Sequence, residues 1–76
     1  MPAQWTGHLV GKMHNYSVRY EDLAKELGVT KAYVSMVLNG ARAPERGQER
    51  FEAALDRIID RRREETYKNF NHQSEA

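Results

Sequence analysis

With 76 residues, no cysteine and a net charge of +1, the chain has room for one small domain, held together without disulfides or a thiolate metal site. Twelve Lys and Arg nearly cancel eleven Asp and Glu, so the distribution of charge says more than its sum. No apolar run nears the roughly 20 residues that cross a bilayer and no signal-peptide core stands at the N-terminus, so a soluble, cytoplasmic protein is expected.

Trp5, Leu9 and Met13 recur every four residues and Val10 joins them, which predicts a first amphipathic helix over residues 4–15. Gly7 and Gly11 each weaken it by about 1 kcal/mol relative to Ala. They lie one turn apart and would let a neighbouring helix come close. Residues 15–17 read as a break. The second helix starts near Tyr20, with Val18 and Leu23 spaced as a hydrophobic staple; Asp22 is placed to support its first backbone donors, whereas Arg19 is a poor cap. Thr30 is a good N-cap for a third helix, with Val29 and Val34 as a second staple, and Asn39-Gly40 permits the left-handed residue that ends it.

Residues 41–47 form a loop or weak helix start around Pro44, which suits a first helical position. Phe51, Ala54, Leu55, Ile58 and Ile59 then fall at i, i+3, i+4, i+7 and i+8, the apolar stripe of a long helix from Gln48. The stripe stops at Ile59, and Arg61-Arg62-Arg63 with Glu64-Glu65 is expected to continue the helix as a solvated face. The domain is placed at residues 1–66. Residues 67–76, with Tyr67 and Phe70, form a C-terminal tail that frays or extends the helix. The expected fold class is all-α, a small bundle of about four helices.

Residues 20–39 carry the functional signal. Leu23, Ala24, Leu27, Gly28, Val29, Val34 and Val37 meet the demands of a helix-turn-helix. The apolar residues face a common core, Ala24 is small where the second helix passes, and Gly28 stands where the chain turns with positive φ. Leu23-Ala24, Gly28-Val29-Thr30, Val34-Ser35 and Val37-Leu38-Asn39-Gly40 resemble the lambda-repressor-like class of bacterial and phage regulators. That class includes the Cro/cI-type domains, and the lac-repressor-type headpiece is a close relative. The resemblance spans residues 5–60 and is dense over 20–40. Arg19 replaces the usual Thr or Ser cap, Ala32 and Met36 replace the usual polar reading residues, and four helices stand where Cro/cI domains usually have five.

The resemblance implies a sequence-specific, double-stranded-DNA-binding transcriptional regulator, a repressor that lays residues 30–39 in the major groove. Val34, Val37 and Leu38 are committed to the core, which leaves Lys31, Ala32, Ser35, Met36 and Asn39 outward. Lys31 is the candidate for guanine O6/N7, and Ala32 and Met36 for thymine methyls. Thr30, Tyr33, Ser35, Asn39 and Arg42 are assigned to the DNA backbone. Relatives bind two half-sites as two-fold dimers, so a homodimer is expected, with the long helix and the Tyr67/Phe70 tail as candidate surfaces. No lac-type ligand domain is present, so no small-molecule inducer is expected.

Catalysis finds no support. His8, His14 and His72 lack metal-ligand spacing, the first two lying about 240° apart around a helix. Ser17, Ser35 and Ser74 sit in no nucleophile elbow, and no cofactor motif is present. The alternative is a protein-interaction module that uses the same helix-turn-helix surface on a protein partner, which the near-neutral charge and the apolar Ala32 and Met36 would suit.

Overall fold

The computed structural model describes the backbone of residues 3–75 and the side chains of residues 3–68. Four helices are present, α1 (Gln4–Asn15), α2 (Tyr20–Leu27), α3 (Lys31–Leu38) and α4 (Gly47–Glu75), with no strand among the described residues. The fold is therefore a small all-α helix-turn-helix bundle. α4 packs on α1 and α2, and α3 packs on the same two helices. Leu23, Val34, Val37 and Leu55 are the largest fully buried side chains, surrounded by Leu9, Met13, Leu38, Phe51, Ala54, Ile58 and Ile59.

Both turns before α3 end their preceding helix in the same way. After α2, Gly28 takes φ 72°, its N–H reaches Lys25 O, and the Val29 N–H reaches Ala24 O at 3.0 Å. After α1, Ser17 takes φ 56°, its N–H reaches His14 O, and the Val18 N–H reaches Met13 O at 2.8 Å. Each is a Schellman termination, in which a left-handed residue satisfies carbonyls that the helix leaves unpaired. Glycine is the usual occupant, and Ser17 gives no sequence signal of that conformation.

Side-chain partners set the directions of the helices. Trp5 and Phe51 meet edge to face at 5.9 Å between centroids, Lys12 Nζ pairs with Asp56 at 2.9 Å, and Arg63 donates to the Tyr16 hydroxyl at 3.2 Å. These contacts advance together along both helices, so α1 and α4 run parallel. Asp22 meets Arg62, whereas Glu26 meets Arg57 and Arg61, so α2 runs antiparallel to α4. α4 outruns the bundle: 29 residues make about 43 Å of helix, and the molecule measures 52 × 22 × 17 Å.

Several expectations need correcting. Val10 is 36% exposed, and Thr6 takes the buried position instead, its hydroxyl donating to Ala3 O at 2.7 Å. Gly7 and Gly11 receive no helix, since an added Cβ would meet nothing within 4 Å. The glycine that permits close approach is Gly47, which is buried, with Pro44 Cγ 3.1 Å and Trp5 Cζ2 3.7 Å from its virtual Cβ. Pro44 is not a first helical residue. Its carbonyl accepts the Gly47 N–H in a turn that places Arg46 at φ 60°.

The arginine run is no free solvated face. Arg62 is half-buried and donates to Tyr16 O at 3.0 Å, Ser17 O at 3.1 Å and Asp22 Oδ2 at 3.2 Å. Arg61 and Arg57 grip Glu26 at 2.6 and 2.9 Å. Hydrogen bonds from Arg61 first, then Arg57, hold Glu26 below the usual carboxylate range, and Arg61 is raised in return.

A carboxylate with a depressed folded-state pKa stabilises the fold above its unfolded pKa and loses that contribution as pH falls through the folded value. Urea midpoints measured downward from neutral pH are expected to show this acid loss, and Glu26→Gln is expected to flatten it. Gly7→Ala and Gly11→Ala relieve exposed helix-interior glycines, and Ser17→Gly relieves a left-handed non-glycine residue. Each is expected to raise unfolding free energy by about 0.5–1 kcal/mol in denaturant titration.

Candidate nucleic-acid interface

α3 begins with a complete cap. Thr30 adopts an extended backbone, and its Oγ1 accepts the Tyr33 N–H at 3.0 Å. The hydroxyl proton remains available to a phosphate oxygen. Val34, Val37 and Leu38 turn inward and are buried. Leu23 and Ala24 on α2 are buried opposite them, while Leu27 and Val29 are half-buried against the same core. Gly28 at positive φ makes the turn between the two helices.

Of the predicted reading residues, Lys31 and Ala32 are exposed at the start of α3. Met36, Ser35 and Tyr33 are half-buried, and the Tyr33 ring packs on the core. Asn39 is exposed at the C-cap, where its Oδ1 accepts the Ala41 N–H at 3.0 Å. Arg42 is exposed, and its backbone N–H reaches back to Met36 O at 3.0 Å. That bond folds the chain after α3 against the end of the helix, so Arg42 lies beside the last turn of α3.

Charge is sorted across the bundle. Of the three acids on α2, Glu26 is held by Arg57 and Arg61, Asp22 by Arg62 and the Arg19 N–H, and Glu21 lies 3.6 Å from Arg19. The Asp22 carboxylate accepting from the Arg19 N–H at 2.9 Å serves as the α2 cap, because a guanidinium has no acceptor to offer. Among the described residues, Lys31 and Arg42 enter no ion pair. Lys25 on α2 is likewise exposed and unpaired among the described residues. It escaped assignment because a lysine between Asp22 and Glu26 reads as an ordinary surface charge.

The helix-turn-helix family model matches residues 12–46, from the last turn of α1 to the threshold of α4. Residues 12–46 are thus similar to a Cro/cI-type helix-turn-helix, which supports a lambda-repressor-like regulator. Helix-turn-helix domains of this kind form a DNA-binding regulator family and not an enzyme family. No curated protein and no solved structure matches the chain. Among the described residues no cluster of His, Asp and Glu is arranged to hold a metal, and no helix is long and apolar enough to cross a membrane. His72, Ser74 and the Phe70 side chain lie outside the described side chains.

Because the Thr30 hydroxyl satisfies a donor that α3 cannot satisfy itself, Thr30→Ala is expected to cost about 1 kcal/mol of stability in denaturant unfolding, and Thr30→Ser to restore most of it.

Proposed function

We propose that the protein is a sequence-specific double-stranded-DNA-binding transcriptional regulator that inserts α3 in the major groove and represses by occupying its site. The observation that carries this reading is the sorted charge. The arginines of α4 neutralise Glu26 and Asp22 of α2, while Lys31 and Arg42 stay exposed at the two ends of α3. A phosphate backbone rewards cations without acidic neighbours, and the N-terminal half of a recognition helix is the part that meets base edges. In this assignment Lys31, Ala32 and Met36 read bases. Thr30, Tyr33, Ser35, Asn39 and Arg42 position the domain on the backbone.

An eight-residue recognition helix with one cation near its start reads few base pairs, so the working species is taken to be a homodimer on half-sites about 34 Å apart. The rival reading, a module that docks on a protein through the same surface, draws on the near-neutral net charge and the apolar pair Ala32 and Met36 on α3.

Selection from a random duplex pool at near-physiological salt separates the two. The DNA reading expects enrichment of a two-fold symmetric site. Lys31→Ala should then relax preference at one base pair with a loss of about ten-fold. Arg42→Ala should weaken all sequences alike and reduce the salt slope by about one. No enrichment, with Met36→Asp outweighing both changes in capture of a protein partner, would favour the rival.

A further inference from the structure

Where α4 leaves the bundle, its outer face and the end of α1 bound a recess of about 460 Å³, lined by Tyr16, Ile59, Arg62, Arg63, Thr66 and Tyr67. Concave sites of roughly 300–1,000 Å³ are the size that holds small ligands. Ile59, Arg63, Thr66 and Tyr67 stand at i, i+4, i+7 and i+8, on one face of α4. Tyr16 supplies the opposite wall. Tyr16 and Tyr67 are 41% and 67% exposed, so aromatic surface lies uncovered on both sides of the recess.

The charge of this lining has one sign. Arg62 and Arg63 are its charged groups, whereas four other recesses on the surface each include a Glu or Asp. Arg62 is committed to Tyr16 O, Ser17 O and Asp22. Arg63 is exposed and pairs with no carboxylate among the described residues. It is nevertheless held in place, since it donates to the Tyr16 hydroxyl at 3.2 Å and its guanidinium lies 5.8 Å from the centre of the Tyr16 ring. The recess therefore offers donors, the other Arg63 N–H groups and the Tyr16 and Thr66 hydroxyls, beside apolar walls.

We propose that this recess binds a small aromatic carboxylate, with its ring against Tyr16, Ile59 and Tyr67 and its carboxylate on Arg63. Aromatic walls favour a ring, by stacked or edge-on contact. A guanidinium without an acid partner favours a carboxylate, through charge-assisted hydrogen bonds. A second copy of the chain suits the recess less well. A two-fold contact centred there would set Arg63 against its own copy, and like charges so placed repel. The proposal departs from the expectation of no small-molecule ligand, which followed from the lack of a separate ligand domain. It involves no residue of α3 and does not rest on the DNA reading.

The test is an NMR titration of the intact chain at fixed salt and neutral pH with 2-naphthoate and, in parallel, with the uncharged 2-naphthamide. Saturable one-site binding of 2-naphthoate is expected, with shifts at Tyr16, Ile59, Thr66 and Tyr67. The amide is expected to bind about ten-fold more weakly. Arg63→Gln should weaken 2-naphthoate about ten-fold and erase the difference between the two probes. Tyr67→Ala, on an exposed turn of α4, should weaken both probes alike, and urea midpoints check that each variant is folded. Failure to saturate at millimolar 2-naphthoate overturns the proposal. So does binding that shifts other residues, or binding indifferent to both substitutions. Shifts at the same residues that grow with protein concentration alone, and that block the probe, overturn it in favour of a second copy. Duplex binding is measured separately, so none of these outcomes decides the DNA reading.

Discussion

The guanidinium of Arg62 lies where α1 ends, α2 begins and α4 passes, and it joins all three. It supplies donors to the Tyr16 and Ser17 carbonyls left over by α1, and to the Asp22 carboxylate that caps α2. Those groups belong to a connection with a left-handed serine at its centre, a conformation that costs a non-glycine residue about 1–2 kcal/mol. A charged donor facing two carbonyls and a carboxylate offsets part of that cost. The angle at which α2 leaves α1 is thereby fixed, and with it the platform on which α3 rests.

The same helix covers the hydrophobic side of the bundle. Phe51, Ala54, Leu55, Ile58 and Ile59 are all buried, and the core they complete includes Leu23, Val34 and Val37 of the helix-turn-helix. A domain of this size has little surplus stability. Its long helix thus has two tasks, since the apolar stripe closes the core and the adjacent arginines tie down α2. The second task has an electrostatic by-product. Once Glu26 and Asp22 are held by arginines, the acidic charge of α2 is cancelled on the α4 side, and the exposed cations at the ends of α3 have no carboxylate partner among the described residues. A chain of net charge +1 can in this way present a locally basic surface.

Local hydrogen bonding around α3 then determines what that surface offers. The cap uses the Thr30 acceptor, the C-cap uses the Asn39 acceptor, and the Arg42 N–H is bound to Met36 O. Each bond makes the helix better defined and also commits one lone pair or proton that a ligand could otherwise meet. Rigidity and recognition draw on the same polar atoms, which leaves the apolar pair Ala32 and Met36 prominent between Lys31 and Arg42.

Much of this arrangement follows from local rules, and those parts are legible in the chain. Helix periodicity places Leu9 and Met13 on one face of α1 and the five apolar positions of α4 on one stripe. Thr30 announces its cap and Gly28 its turn, because each residue type has a specific local advantage there. The residues that matched the helix-turn-helix pattern are those whose side chains satisfy constraints a few positions away. Other features depended on partners remote in sequence. Val10 and Thr6 are both near the α1 stripe, and only the packing of the other helices on α1 decided that Thr6 is covered and Val10 exposed. Gly7 and Gly11 looked like a contact, whereas the close approach fell at Gly47, under Trp5 and Pro44. Arg61, Arg62 and Arg63 read as solvated because charge runs usually are, until folding brought Glu26, Asp22 and the end of α1 within hydrogen-bond reach across more than thirty residues. The sequence by itself determined which segments are helical, where α1, α2 and α3 start and stop, and that two of them form a helix-turn-helix. Only the tertiary structure decided which charges are cancelled and which polar atoms on α3 remain free, because those outcomes depend on distances between helices that no local pattern encodes.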